Sequence, residues 1–264
     1  MADPDDDEAD DWDFYPCLVD GTPASIFLNV GLEEVAPIVA AATRFRVRIR
    51  MRDADEHGMG SAAEATALHG VEDHLVQAAV VPGLRYVGRL RHQGQWELVF
   101  YGAAAHEAAL SAAVASLEAL DGRDVDVDVS DDAAWVYYTE FLLPDAERRQ
   151  WMKDRRLVAV LEEHGDVGET PRRVDHWAYF PSVDARARFL AAAKAEGFVG
   201  EIEPDAPAAA APAASPPYCA HVYRLDAAEL AYIHDVVMGL VELAEEQGGD
   251  YDGWETSVEA PALN

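Results

Sequence analysis

The sequence predicts an α+β protein built from two ferredoxin-like α/β sandwiches, each β-α-β-β-α-β. The first carries an added N-terminal hairpin and an extra strand. Three observations predict this. The chain has 264 residues, half of them hydrophobic, enough core for two domains of ordinary size. Its apolar residues fall into short runs of period two and longer alanine-rich runs of helical period. In the second half these runs follow the order strand, helix, strand, strand, helix, strand, the split β-α-β arrangement with helices on one face of an antiparallel sheet.

The elements follow in order. Residues 1–11 form an acidic block that reads as a disordered tail, either solubilising or a lure for a basic partner. WDFYPCLV and PASIFLNV flank Asp20-Gly21 and read as a hairpin. Leu32 to Thr43 reads as an alanine-rich helix with Pro37 near its start. RFRVRIRM (44–51) is a half-buried strand with a basic face. Ser61 opens a helix to about Val80, and Glu64 completes an S-x-x-E capping box. LRYVGRLR and WELVFYG are strands joined at Gln93-Gly94; Ala104 to Leu120 is a helix; DVDVDVS (124–130) is a strand. WVYYTEFLL (135–143) reads as the extra strand that ends an uncharacterised domain spanning 12–143. Residues 144–164 form a connecting helix stopped by Gly165.

The second domain spans 165–260. RRVDHWAYF is a strand, Ser182 caps a helix ended by Gly197, and FVGEIE is a short strand. The Pro/Ala segment 205–217 cannot form a ladder and reads as a mobile loop. YCAHVYRL is a strand, Asp226 caps a long helix to Gln247, and the chain returns as the strand YDGWETSV. Arg44 to Val129 repeats the same element order in the first half, without visible sequence repetition.

Charge narrows the function. Fifty acids face 20 bases, a net charge of −30. Such a chain repels phosphate backbones and anionic membranes and attracts cationic surfaces, so direct nucleic-acid binding is disfavoured and a basic protein partner is favoured. Cys17 and Cys219 have neither zinc spacing nor a disulfide framework, and read as buried thiols in a reducing cytosol. The acidic N-terminus lacks signal-peptide features and no apolar run nears the ~20 residues of a membrane span, which points to the cytoplasm. No metalloprotease, nucleophile-elbow, phosphate-loop or dinucleotide signature occurs. HGMGSAAE places glycines before a helix N-terminus, where an anion is conceivable, but no lysine or threonine follows and an ordinary capped loop is favoured. His69 and Asp73 share a helix face without further donors, too few for a metal. No catalytic, cofactor or metal residues are assigned.

The informative pair is RRVDHWAYFP with YDGWETSV. As first and last strands they are antiparallel neighbours. Val174, His176, Ala178 and Phe180 share one face, and Asp175, Trp177 and Tyr179 the other. On the last strand Asp252, Trp254, Thr256 and Val258 alternate with Tyr251, Gly253, Glu255 and Ser257. Some of these aromatics fall on the face the helices leave uncovered. Two uses stay open for that face: burial against the first domain or a second subunit, and docking of another protein. The candidate partner-binding residues are Asp175, His176, Trp177, Tyr179, Tyr251, Asp252, Trp254 and Glu255. Gly253 marks a bulge or a close backbone approach.

From about Asp166 to Glu259, and most of all in RRVDHWAYFPS, DVVMGLVELAEEQGG and YDGWETSVE, the chain resembles the ribonuclease E inhibitor family, the B-type regulators of ribonuclease E activity. That resemblance implies a small acidic cytoplasmic bacterial protein with a ferredoxin-like sandwich, which binds the endoribonuclease and damps RNA cleavage without catalysis of its own. Residues 12–143 look like the bacterial domain-of-unknown-function family 695, through WDFYPCLVDGTPASI, the HGMG loop and VEDHL. That likeness implies a fold boundary and no activity. The chain departs from the ribonuclease regulators in its leading acidic run, its two domains and the Pro/Ala insertion.

The expected function is therefore a non-enzymatic acidic regulator, free to form homo-oligomers, that binds a basic region of a ribonuclease E-type enzyme and lowers its activity. The alternative from another class is a small-molecule-binding protein or enzyme with a pocket between the two domains, marked by His57 or His176 beside acids. A DNA-mimicking decoy would show regularly spaced carboxylates on one face.

Overall fold

Asp20 and Gly21 both adopt left-handed backbone, as do Gln93 and Gly94. Two successive positive φ angles match the twist of a two-residue hairpin, so both predicted hairpins form. The computed structural model describes residues 10–201 and 217–259, and the chain divides into two compact units, Met1–Asp145 and Ala146–Asn264. Most of the expected acidic tail and all but Pro217 of the Pro/Ala segment lie outside the described residues. Both units are mixed α+β, each with one antiparallel sheet.

The first unit contains β1 (Trp12–Val19), β2 (Thr22–Asn29), β3 (Thr43–Arg50), α1 (Ala62–Ala78), β4 (Arg85–His92), β5 (Gln95–Gly102), α2 (Glu107–Ser116) and β6 (Val125–Asp131). Its strands lie in the order β1-β2-β4-β5-β3-β6. Phe45, Val47 and Ile49 of β3 are fully buried in a core with Leu68, Val71 and Leu75 of α1 and Leu110 of α2. The alternate residues of β3 meet β6 rung by rung. Arg44 faces Ser130, Arg46 faces Asp128 and Arg48 faces Asp126, with ion-pair distances of 2.7 and 2.6 Å for the last two. A one-residue slip would set arginine against valine, so charge and apolar pattern fix one register together.

Four local expectations change in this unit. Leu32 to Thr43 is not a helix: a 3-10 turn covers Val30–Glu34 and no helix follows. Pro37 lacks the N–H such a helix needs and would press on the carbonyl four residues back. Ala104 to Leu120 is a shorter α-helix bracketed by 3-10 turns. The extra strand at 135–143 does not form; Tyr137–Leu142 is a π-helix. Asp132 accounts for it. Its carboxylate accepts from the backbone N–H of Val136 and Tyr137, and Trp135 turns into left-handed backbone. That turn buries the indole on Tyr101, centroids 4.1 Å apart. Ser61 caps α1 as predicted, but the box is half made, because Glu64 turns away to Arg52 N–H and Arg123.

The second unit opens with α3 (Ala146–Glu163), followed by β7 (Arg172–Phe180), α4 (Val183–Ala195), β8 (Val199–Glu201), β9 (Tyr218–Asp226), α5 (Leu230–Glu245) and β10 (Asp250–Thr256). The sheet order is β10-β7-β9-β8. Ser182 caps α4 through Ala185 N–H, and Gly197 ends it with positive φ. Asp226 does not cap α5; Glu229 holds that position, while Asp226 is buried and accepts from Arg224 and Tyr232. One core joins Ala178 and Phe180 to Phe189 of α4 and Leu240 of α5. A second joins Val158 and Leu161 of α3 to Val174, Ile233, Val237 and Trp254. The helix expected as a connector thus shares its core with the second unit.

Candidate partner-binding site

The strand β7 separates two chemistries. Val174, His176, Ala178 and Phe180 point to the helices and are buried. Arg173, Asp175, Trp177 and Tyr179 point to the other face, as the alternation predicted. There Trp177 lies flat on His221 of β9, centroids 4.8 Å apart and planes 5° from parallel. His221 Nε2 is 2.6 Å from Asp175 Oδ1. Arg173 forks the same carboxylate, lies over the Tyr223 ring and reaches Glu201 at 3.2 Å. Burial pushes the Asp175 carboxyl up, but the Arg173 fork and the His221 hydrogen bond outweigh it and hold it below the usual range. The uncovered face is therefore aromatic, and Asp175 on it is held by Arg173 and His221.

On β10 one correction matters most. Strict alternation would set Tyr251 and Trp254 on opposite faces. A bulge between Tyr251 and Gly253 inserts Asp252 as the unpaired residue, so Tyr251 pairs with Ala178 and Trp254 with His176, both on the helix side. Gly253 falls opposite Trp177, and a Cβ there would meet nothing within 4 Å, so the bulge and no close approach accounts for that stretch. Close approach occurs earlier, at Gly249, where a Cβ would collide with the Phe180 ring.

The eight candidate residues thus split three ways. Asp175, Trp177, Tyr179 and Glu255 belong to the uncovered face; Asp252 is exposed at the bulge; His176, Tyr251 and Trp254 face inward. Tyr251 OH sits 2.8 Å from His176 Nδ1. Burial lowers the His176 pKa to about 4, so it is neutral at physiological pH. Trp254, only 4% exposed, donates from Nε1 to Asp154 Oδ1 at 2.9 Å.

Asp154 is the residue that sequence pattern did not reveal. It is fully buried on α3 and accepts from Trp254, from Gln150 Nε2 at 2.9 Å and from His234 Nδ1 at 2.8 Å. Burial raises its pKa despite these three hydrogen bonds. Apart from Gln150, one helical turn back, its partners stand 80 and 100 positions away, beyond any motif; the available signal was an acid inside the apolar period of α3. His234 and Gln150 then line a cleft of about 870 Å³ between α3, α5 and the start of β10. Its rim is acidic, with Glu147, Asp235, Glu242, Glu245 and Asp250.

Other candidate positions carry less. Asp55 Oδ1 accepts from the N–H of His57 and Met59, so the HGMG loop is closed by its own aspartate. His57 is exposed beside Glu56. His69 packs edge-on to Trp96. Cys17 and Cys219 are half-buried and form no disulfide. Among the described residues no group of three or more His, Cys, Asp or Glu is placed to hold a metal, and no helix is long and apolar enough to cross a membrane.

Residues 10–143, just over half the chain, match the model of a family of unknown function, DUF695. The chain belongs to that family. In this DUF695 protein, residues 151–256 match a second model, Regulator of ribonuclease activity B. Both assignments agree with the resemblances carried by the sequence motifs. The second match begins within α3 and so takes in Asp154, His234 and Trp254. No curated protein matches the chain.

Proposed function

We propose that this protein is a non-enzymatic cytoplasmic regulator whose second unit binds a basic region of a ribonuclease E-type endoribonuclease and lowers its RNA-cleaving activity. The match of residues 151–256 to the ribonuclease-regulator model carries the proposal. The element order of the second unit, with its first strand between the last and the third, supports a ferredoxin-like sandwich there, and the central six elements of the first unit follow the same order. We take 12–143 as the first domain and count α3 with the second. Asp175, Trp177, Tyr179, Asp252 and Glu255 form the candidate contact surface; His176, Tyr251 and Trp254 hold the strands that present it. A net charge of −30 steers the encounter with a basic partner and makes affinity fall with salt.

The test is reconstitution. A purified ribonuclease E-type enzyme cleaving a labelled RNA should slow when the protein is added, and co-purification at low salt should fade as salt rises. Unchanged cleavage, together with no co-purification at low salt, rejects the proposal.

A further inference from the structure

Asp175 and Glu201 of the uncovered sheet face are engaged by Arg173 and His221, whereas the carboxylates that line the cleft beside α5 are not. Asp235, Glu242, Glu245 and Asp250 make no ion pair or side-chain hydrogen bond among the described residues. Asp235, Gly239 and Glu242 stand about one turn apart on the same helix face. On one side of that row lies the 870 Å³ cleft. On the other lies a second cavity of about 290 Å³, floored by Leu240, Leu243 and the edge of Phe198, whose ring is covered by Arg224, itself paired with Asp226. The two cavities share Asp235, Gly239 and Glu242 as their common wall.

Gly239 is the independent observation. It lies inside a 16-residue helix, where glycine costs stability relative to alanine. Nothing in the fold demands it: its φ is not positive, and an added Cβ would meet no atom within 4 Å. Its effect is to remove the side chain that would stand between the two cavities. The notch leaves a path across α5, with Met238 and Val241 on one side, Leu240 and Leu243 on the other, and Asp235 and Glu242 along the crossing.

We infer that this notched groove is the docking site for an extended, arginine- or lysine-bearing segment of the partner. Such side chains suit it, with aliphatic stems against Met238 and Leu243 and charged heads on Asp235, Glu242, Glu245 and Asp250. The inference rests on the proposed basic partner and relocates its principal contact from the sheet face to α5.

The probe is a fluorescein-labelled peptide of alternating arginine and alanine, titrated by anisotropy against the full chain. Gly239→Trp fills the notch and should weaken binding about ten-fold, with an unfolding midpoint no lower than wild type. Gly239→Ala should raise the midpoint and change affinity less. Asp235→Asn with Glu242→Gln should also weaken binding about ten-fold, whereas Glu107→Gln with Glu118→Gln, equal in charge but on the first unit, should stay within about two-fold. Equal losses from both charge pairs, or an unaffected Gly239→Trp variant, would overturn the groove. Ribonuclease inhibition separates the two proposals. Inhibition lost in Trp177→Ala but kept in Gly239→Trp removes the groove and keeps the regulator. Peptide binding that follows the groove variants, without any inhibition by wild type, keeps the groove and removes the regulator.

Discussion

Asp166 and Asp154 are both buried carboxylates, and their neighbours move them in opposite directions. Arg172 forks Asp166, burial opposes the effect, and the backbone N–H groups of Glu259 and Gly168 add to it, holding the carboxyl well below the usual range. Asp154 has hydrogen bonds without a facing guanidinium, and burial wins. The sign of each contribution follows. A depressed folded-state pKa means that the unfolded chain takes up the proton first, so the stability from Asp166 is present above the ordinary carboxylate pKa of about 4 and is lost as pH falls below it. Asp166→Asn should cost about 3 kcal/mol at pH 7, because it leaves the buried Arg172 uncompensated. The gap from wild type, read as a urea midpoint, should begin to narrow below about pH 5, where the unfolded carboxylate starts to take up its proton, and go on narrowing through pH 2.5, because the folded carboxylate is protonated only at still lower pH. A gap independent of pH would assign the loss to packing and not to charge.

At the scale of elements, the bulge in β10 decides which residues matter. Trp254→Ala removes a buried indole and one of the three donors to Asp154, and should cost about 3–5 kcal/mol by chemical denaturation. Gly253→Ala, one position earlier, should change stability by less than about 1 kcal/mol, since a Cβ there meets open space. Equal costs at the two positions would contradict the observed register. Strands such as β3 and β7 were legible because period-two burial is a strong local signal. The direction of β10 was legible too, but not its bulge: one inserted residue inverts the faces downstream, and nothing in YDGWET marks which residue is left over. The run WVYYTEFLL failed for the opposite reason. Its aromatic content suits a strand, while its conformation is set by the Asp132 carboxylate upstream. The Asp154 cluster was illegible in principle, because its members meet only after α3, α5 and β10 have packed.

For the whole molecule, charge is the dominant variable. Fifty acids against 20 bases leave a self-repulsion that no local pairing removes. Raising sodium chloride from about 0.05 to 0.5 M should lift the thermal midpoint by a few degrees while weakening binding to any basic partner. Calorimetry and co-purification on one preparation check both directions; a midpoint that falls with salt would mean that attractive pairs, such as those between β3 and β6, outweigh the repulsion. The bond from Trp254 to Asp154 bears on synthesis and turnover. A product cut short by a nonsense codon, or clipped in the turn before β10, retains the acid on α3 but loses the indole 100 positions later that should cover it. Such a fragment exposes apolar surface around a charge left without its full set of donors. It should be cleared by cellular proteases and should not persist as a partly folded product, so nearly the whole of the second unit must be made before any of it is durable.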